Sequence, residues 1–364
     1  SKLEDSVKRH LRSDVPVCNL LSGGLDSTIL CVIERELGID LSTWCAGGPV
    51  PEGEQGDFHF ARQAATSLNA DHHEIHVDRK RFTDNWHWMV REGGLPLSTP
   101  NEVAIYSIAK ELRSAGQVVA ISGEGADELF GGYEPALQAA WQFSGTPGDR
   151  RSGGRFQLDS AAWVSPNIKP QVLSHDAWEG AKADGFLLEH YDDVFARARY
   201  ESGPDATRLD PFLRFQRHNN LTNLLQRLDT ATMLASVEGR TPFADWDVAK
   251  LAESLPMNTK FLPARSSGGG GTALATRVVQ GKLVLRDAWQ SKVPEAILKR
   301  PKHSFPLPFE QWVEDTGWRL ESSPFAHIVF NEKVRETVVR DPNENWQFAW
   351  PMMNLALWGD RWWA

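Results

Sequence analysis

Ser22-Gly23-Gly24-Leu25-Asp26-Ser27 gathers two hydroxyls, a glycine pair and a carboxylate into one short string. An apolar run from Val15 to Leu21 precedes it and reads as a buried strand. Ile29, Leu30, Ile33 and Leu37 follow at helical spacing, and Gly38 stops the pattern. The string therefore sits at an expected strand-to-helix turn. Glycines there let the backbone fold tightly and bring its N–H groups close to a ligand. The helix start adds unpaired donors and positive potential, the ingredients of a phosphate or pyrophosphate seat. No Gly-Lys-Ser/Thr closes the loop, so it is not a Walker A motif. Ser22 and Ser27 are the expected hydroxyl ligands in place of that lysine, and Asp26 would hold a metal ion against the phosphates. A glycine pair alone also fits an ordinary turn; the full string favours the phosphate reading.

A second cluster, Ser122-Gly123-Glu124-Gly125-Ala126-Asp127-Glu128 and on to Gly131-Gly132-Tyr133, follows another apolar run, Gln117 to Ile121. Acids this close repel unless a cation or a proton answers them. Mg²⁺ suits the task because it takes one or two carboxylates together with phosphate oxygens, and Asp26 with Asp127 is the assigned pair. Glu128 reads as an acid favoured at a helix start. A third string, Arg300-Pro301-Lys302-His303-Ser304-Phe305-Pro306, offers a lysine that could neutralise charge building on an α-phosphate. The fourth, Glu238-Gly239-Arg240-Thr241-Pro242-Phe243, is preceded by Arg227 and Asp229. Arginines beside acids suit a substrate carrying a carboxylate and an amine, although structural ion pairing explains them equally. His72-His73-Glu74-Ile75-His76 reads as a strand with His72, Glu74 and His76 on one face. No further ligand lies nearby in sequence, so structural or substrate-edge roles are preferred to a metal site.

These strings need a scaffold. Leu3, Val7 and Leu11 predict a helix in the first 13 residues, Leu41 to Ala46 a buried strand, and Glu54 to Leu68 a helix. Arg79 to Arg91 is helical, and Asn101 is the expected N-cap of a helix that buries Ile105, Ile108, Ala109 and Leu112 and ends at Gly116. Strands alternating with helices predict βαβ units and a parallel sheet, with ligands at the carboxyl ends of its strands. Ser144 to Gly154 reads as a mobile loop, and Ser266 to Thr272, with four consecutive glycines, as a flexible loop or lid. Arg208 to Leu255 and Leu283 to Leu298 favour helices, and a Trp-rich helix near Met352 to Trp363 closes the chain. The expected organisation is a nucleotide-binding α/β region over 1–143 and a mainly helical region over 144–364 that completes the site.

Composition narrows the class. The chain has 364 residues, 41% hydrophobic and 24% charged, and no apolar run long enough to span a bilayer. No N-terminal signal segment is evident, which reads as a cytoplasmic protein. A net charge of −9 argues against nucleic acid as a partner. Cys18, Cys31 and Cys45 lack metal-ligand spacing and read as buried small hydrophobes. The 15 tryptophans have no repeat period and read as core filling.

In order along nearly the whole chain, Leu21 to Ser27, His72-His73-Glu74, Ser122 to Tyr133, Glu238 to Phe243, Arg300 to Phe305 and a closing Asn354-Leu355-Ala356-Leu357-Trp358 resemble the synthetase domain of asparagine synthetases. That resemblance implies the ATP-pyrophosphatase fold (adenine nucleotide alpha hydrolase-like), with ATP and Mg²⁺ as cofactors. It also implies a two-step reaction, in which a carboxylate, aspartate by family habit, is adenylated with loss of pyrophosphate and ammonia then displaces AMP. By the same match Leu21, Ala46, Ser122 and Gly123 line the nucleotide, Glu124 takes the proton from ammonia, and Lys302 stabilises the phosphorus centre. Glutamine-using members carry an N-terminal glutaminase domain that this sequence lacks, so ammonia would come free or from a separate domain or subunit, or the chain is a fragment. The glycine loop before Lys302 allows a different carboxylate, small or peptidic, as in peptide cyclases. β-Lactam-forming relatives carry Tyr where this chain has Glu124. A non-catalytic nucleotide-binding scaffold is the alternative of another class, and tRNA-modifying relatives would want a more basic surface.

Overall fold

The computed structural model describes residues 1–50, 55–144, 146, 148–263, 279–300, 307–314 and 316–363. Helix α1 (Lys2–His10) opens the chain under a complete capping box between Ser1 and Glu4. Strand β1 (Val17–Leu20) leads through the glycine turn into α2 (Leu25–Glu36). Then come β2 (Ser42–Gly47), α3 (Asp57–Ser67), β3 (Asp71–His76), α4 (Arg79–Gly93), α5 (Asn101–Ser114) and β4 (Val119–Ile121). Pro100, not Asn101, occupies the cap position of α5; proline at a helix start costs no backbone donor, and Asn101 falls inside the first turn.

The alternation builds a parallel sheet in the order β3-β2-β1-β4-β5. The chain runs outward from β1 to β3, then returns to the other side of β1 for β4, so the order reverses between β1 and β4. Loops leaving those two strands diverge there and leave a crevice, the usual ligand position of such sheets. β5 is Glu238–Arg240, paired parallel to β4 with Val119 opposite Glu238 and Ile121 opposite Arg240. The sheet thus crosses the 143/144 boundary and draws its fifth strand from a stretch expected to be helical. A three-residue strand carrying Glu, Gly and Arg has no alternating apolar signature to betray it.

Each sheet face has its own core. Cys18, Trp44, Ala46 and Ala120 point into a cluster with α4, α5 and the closing helix Trp346–Trp362. Cys45 and Ile121 point the other way, into a cluster with α1, α2 and α3. This period-2 division follows from the pleat. The three cysteines are buried free thiols, and burial pushes Cys18 up to about 12. Trp86 and Trp350 stack at 4.3 Å in the first core, but Trp246 and Trp363 are exposed, so core filling explains only part of the tryptophan content. Gly153 and Gly154 begin a helix capped by Ser152 rather than ending a loop. A Cβ on either would overlap Phe195 or Asp192 of the helix Gly185–Ser202, so closeness of packing accounts for both. The glycine stretch 266–272 lies outside the described residues.

Candidate functional site

The two loops at the switch point meet. Leu21 follows β1 with its N–H donating to the Trp44 carbonyl at 2.8 Å, and the chain then turns through Gly23 at φ +68. A Cβ there would overlap the backbone of Phe60 and Ala61, so both conformation and space call for glycine. Ser22 Oγ accepts from the Gly24 N–H at 3.3 Å and lies 3.4 Å from Ser27 Oγ, which puts both hydroxyls at the start of α2. On the other side Ser122 N–H donates to the Arg240 carbonyl of β5 at 2.8 Å. The missing side chain of Gly123 lets that loop approach Asp26 and the Ser27 backbone.

Together they enclose a cavity of about 190 Å³. Of the residues proposed from the sequence, Leu21, Ser22, Gly24, Asp26, Ser27, Ala46, Ser122, Gly123, Glu124, Asp127 and Arg227 line it. Gly23 sits just behind, shaping the turn. Arg227, on the helix Thr222–Met233, donates from Nη2 to Glu124 Oε1 at 2.9 Å, and both side chains are largely buried. Asp229 is exposed on that helix and does not line the cavity.

Glu238 and Arg240 are not brought to the cavity either. They pair with each other at 2.7 Å, and Arg240 donates to the carbonyls of His10 and Arg12, tying β5 to the end of α1. In these two residues the structural ion pair is the arrangement found. Glu128 falls in the first turn of α6 (Ala126–Phe130), as expected of a helix-start acid, but it is also buried and accepts from Tyr133 Oη at 2.5 Å. Burial and the neighbouring Asp127 charge push its carboxyl up to about 7, while the Tyr133 bond pulls the other way. Lys302 lies outside the described residues. His72 meets Thr43 at 2.9 Å and His73 stacks on Trp44, and among the described residues no group of three or more His, Cys, Asp and Glu is placed to hold a metal.

Two residues to which the sequence reading gave no role of their own complete the site. Lys282 places its ammonium 2.5 Å from Asp26 Oδ2 and 2.7 Å from Asp127 Oδ1, so the carboxylates assigned to Mg²⁺ already converge on a cation. Arg300, first residue of the third string, donates to the Ser22 carbonyl at 2.8 Å, pairs with Asp57 and lies over the Phe60 ring. It fastens the Ser22–Ser27 turn to α3. The excess of acid in the two loops was the available signal for Lys282; nothing local marks a lysine 256 positions from its partner.

The sequence matches the family described as Asparagine synthase over residues 1–360. The chain belongs to the asparagine synthase family. It is 26% identical to "Asparagine synthetase [glutamine-hydrolyzing] 1" of Bacillus subtilis, an alignment covering 97% of this chain and 57% of that protein. It is 30% identical to "Putative asparagine synthetase [glutamine-hydrolyzing]" of Mycobacterium bovis, covering 98% of this chain and 56% of the relative. A shorter match, 33% identity over 36% of this chain and 26% of the relative, is to "Asparagine synthetase B [glutamine-hydrolyzing]" of Escherichia coli. The chain therefore spans just over half the length of the first two relatives. Among the described residues no helix is long and apolar enough to cross a membrane.

Proposed function

We propose that this chain is the synthetase part of an ATP-dependent amide-forming ligase. It joins a carboxylate, for which we assign aspartate, to ammonia, with release of AMP and pyrophosphate. The convergence of the Ser22–Ser27 turn and the Glu124–Asp127 loop in one cavity at the sheet's switch point carries this reading.

A carboxylate resists attack by ammonia because its oxygen is a poor leaving group. When that oxygen attacks the α-phosphorus, the bond to pyrophosphate breaks and the carboxylate becomes an acyl-adenylate. Ser22, Ser27 and the N–H groups at the start of α2 bind the departing pyrophosphate. Leu21, Ala46, Ser122 and Gly123 line the rest of the nucleotide, and we keep Lys302 as the cation at the phosphorus centre. Ammonia then attacks the acyl carbon, AMP leaves, and Glu124 accepts the proton that nitrogen loses. Arg227, paired with Glu124 in the cavity lining, offers a guanidinium to the acceptor's own carboxylate. Asp26 and Asp127 fit a hard dication, since two sheltered carboxylates already converge on one positive group. Mg²⁺ held by them would neutralise phosphate charge. The ammonia is free or delivered by a glutamine-hydrolysing unit, in keeping with the names of the relatives.

Pyrophosphate release with ATP, Mg²⁺, ammonia and a panel of carboxylates tests the reading. Pyrophosphate and asparagine are expected with aspartate. Release only with another acid would overturn the acceptor assignment, and none with any acid would overturn the ligase assignment.

A further inference from the structure

The acids of the second cluster needed a positive partner, and one is already built into the fold. Lys282 is itself buried, and its ammonium lies between Asp26 of the phosphate turn and Asp127 of α6. Its placement is imposed by the backbone. Strands β6 (Phe261–Leu262) and β7 (Gln280–Gly281) pair antiparallel, and β7 delivers the chain to Lys282. Lys282 then adopts φ +54, a left-handed conformation that a lysine keeps only where surrounding packing demands it. Its N–H donates to the Phe130 carbonyl at the end of α6, and Leu283 N–H donates to the Lys260 carbonyl. Gly132 makes room for the pair, for a Cβ there would overlap both Asp127 Oδ1 and Lys282 Cε. Strained backbone, burial and a cleared space all serve one ammonium in the nucleotide cavity.

A divalent cation bonded to the oxygens that face this ammonium would meet it at close range, and like charges there disfavour each other. The same cavity holds the hydroxyls of Ser22 and Ser27 and the open start of α2. We propose that Lys282 occupies the divalent-cation position until a polyphosphate arrives, and that its ammonium then becomes a ligand of the phosphates and leaves Asp26 and Asp127 to the metal. The metal and the nucleotide accordingly enter as a coupled pair, and the nucleotide-free protein holds the metal weakly. This rests on the reading of the cavity as an ATP site.

Direct binding measurements on the full chain test it. Mn²⁺ is the metal probe, followed by electron paramagnetic resonance of the free ion. α,β-Methylene-ATP, which cannot release pyrophosphate, is the nucleotide probe, followed calorimetrically. Lys282→Met is expected to bind Mn²⁺ alone at least about tenfold more tightly than wild type, and the Mn²⁺–nucleotide pair at least about tenfold more weakly. Lys282→Gln, which can still hydrogen-bond the two carboxylates, should shift both affinities the same way and serves if the methionine variant does not fold. Adding Asp26→Asn to either variant should abolish the gain in Mn²⁺ affinity. Wild-type affinity for Mn²⁺ alone in the folded Lys282 variants would overturn the proposal, as would undiminished nucleotide affinity. A wild-type protein that binds no nucleotide with Mn²⁺ present would instead overturn the ATP-site reading beneath it.

Discussion

Glu124 lines the cavity and is paired there with Arg227 at 2.9 Å. If it is the proton acceptor for ammonia, its loss should fall on the second half-reaction. Glu124→Gln is expected to slow amide formation by about 10²-fold or more while adenylation proceeds at near its original rate. Single-turnover measurement of pyrophosphate and of amide separates the two, and equal loss of both would refute the base role. The meeting of the two cavity loops was legible in the sequence for a physical reason. Ser22 to Ser27 and Ser122 to Asp127 are short strings bound to strand ends, so local order and spacing carry their meaning. Lys282 meets Asp26 256 positions away and Arg300 meets Ser22 278 positions away, and no local pattern can encode such a meeting. Glu238 and Arg240 misled because paired charges look alike in sequence whether they face a ligand or, as here, each other and the end of α1.

The helix that follows the Ser22–Ser27 turn, α2, also carries a buried acid on its inner side. Asn19 of β1 donates to Glu34 Oε2 at 2.8 Å, yet Glu34 Oε1 has no hydrogen-bond partner among the described residues. Burial pushes the Glu34 carboxyl from its ordinary 4.5 up to about 7, more than the Asn19 bond brings it down. Below pH 4.5 the group is protonated folded or unfolded, and stability owes it nothing. As pH rises from there towards 7 the unfolded chain ionises first, so stability falls, and above 7 the full penalty stands. That penalty is on the order of 3 kcal/mol. Glu34→Gln keeps the acceptor for Asn19 and removes the charge. Its urea midpoint should exceed that of wild type at pH 8 and converge with it near pH 4.5; an equal gain at both would place the cause elsewhere. Periodicity located α2 well, because Ile29, Leu30 and Ile33 sit on its buried side. It could not show that an acid shares that burial: Glu34 lies one turn on from Leu30, at the margin of the apolar stripe, where an acid ordinarily reads as exposed.

Across the whole molecule, the α/β half and the closing helix are joined by aromatic packing. Trp350 of the helix Trp346–Trp362 stacks on Trp86 of α4 at 4.3 Å, both almost fully buried, and Trp86 Nε1 donates to Asn354 Oδ1 at 2.7 Å. Trp350→Ala should cost about 3–5 kcal/mol, read from urea unfolding followed by circular dichroism. A loss below about 1 kcal/mol would mean that the helix can detach without disturbing the sheet. The alternating first half of this architecture was legible, but its fifth strand was not. β5 is three residues long and gains its identity from β4, far away in the chain. That late arrival has a consequence for biosynthesis. A ribosome that has just released β4 has made a sheet whose outer edge offers unpaired N–H and C=O groups, the template on which nascent chains stick to one another. At ordinary elongation rates the covering strand follows only after on the order of ten seconds. During that interval the half-made protein is the kind of client that a ribosome-bound chaperone protects.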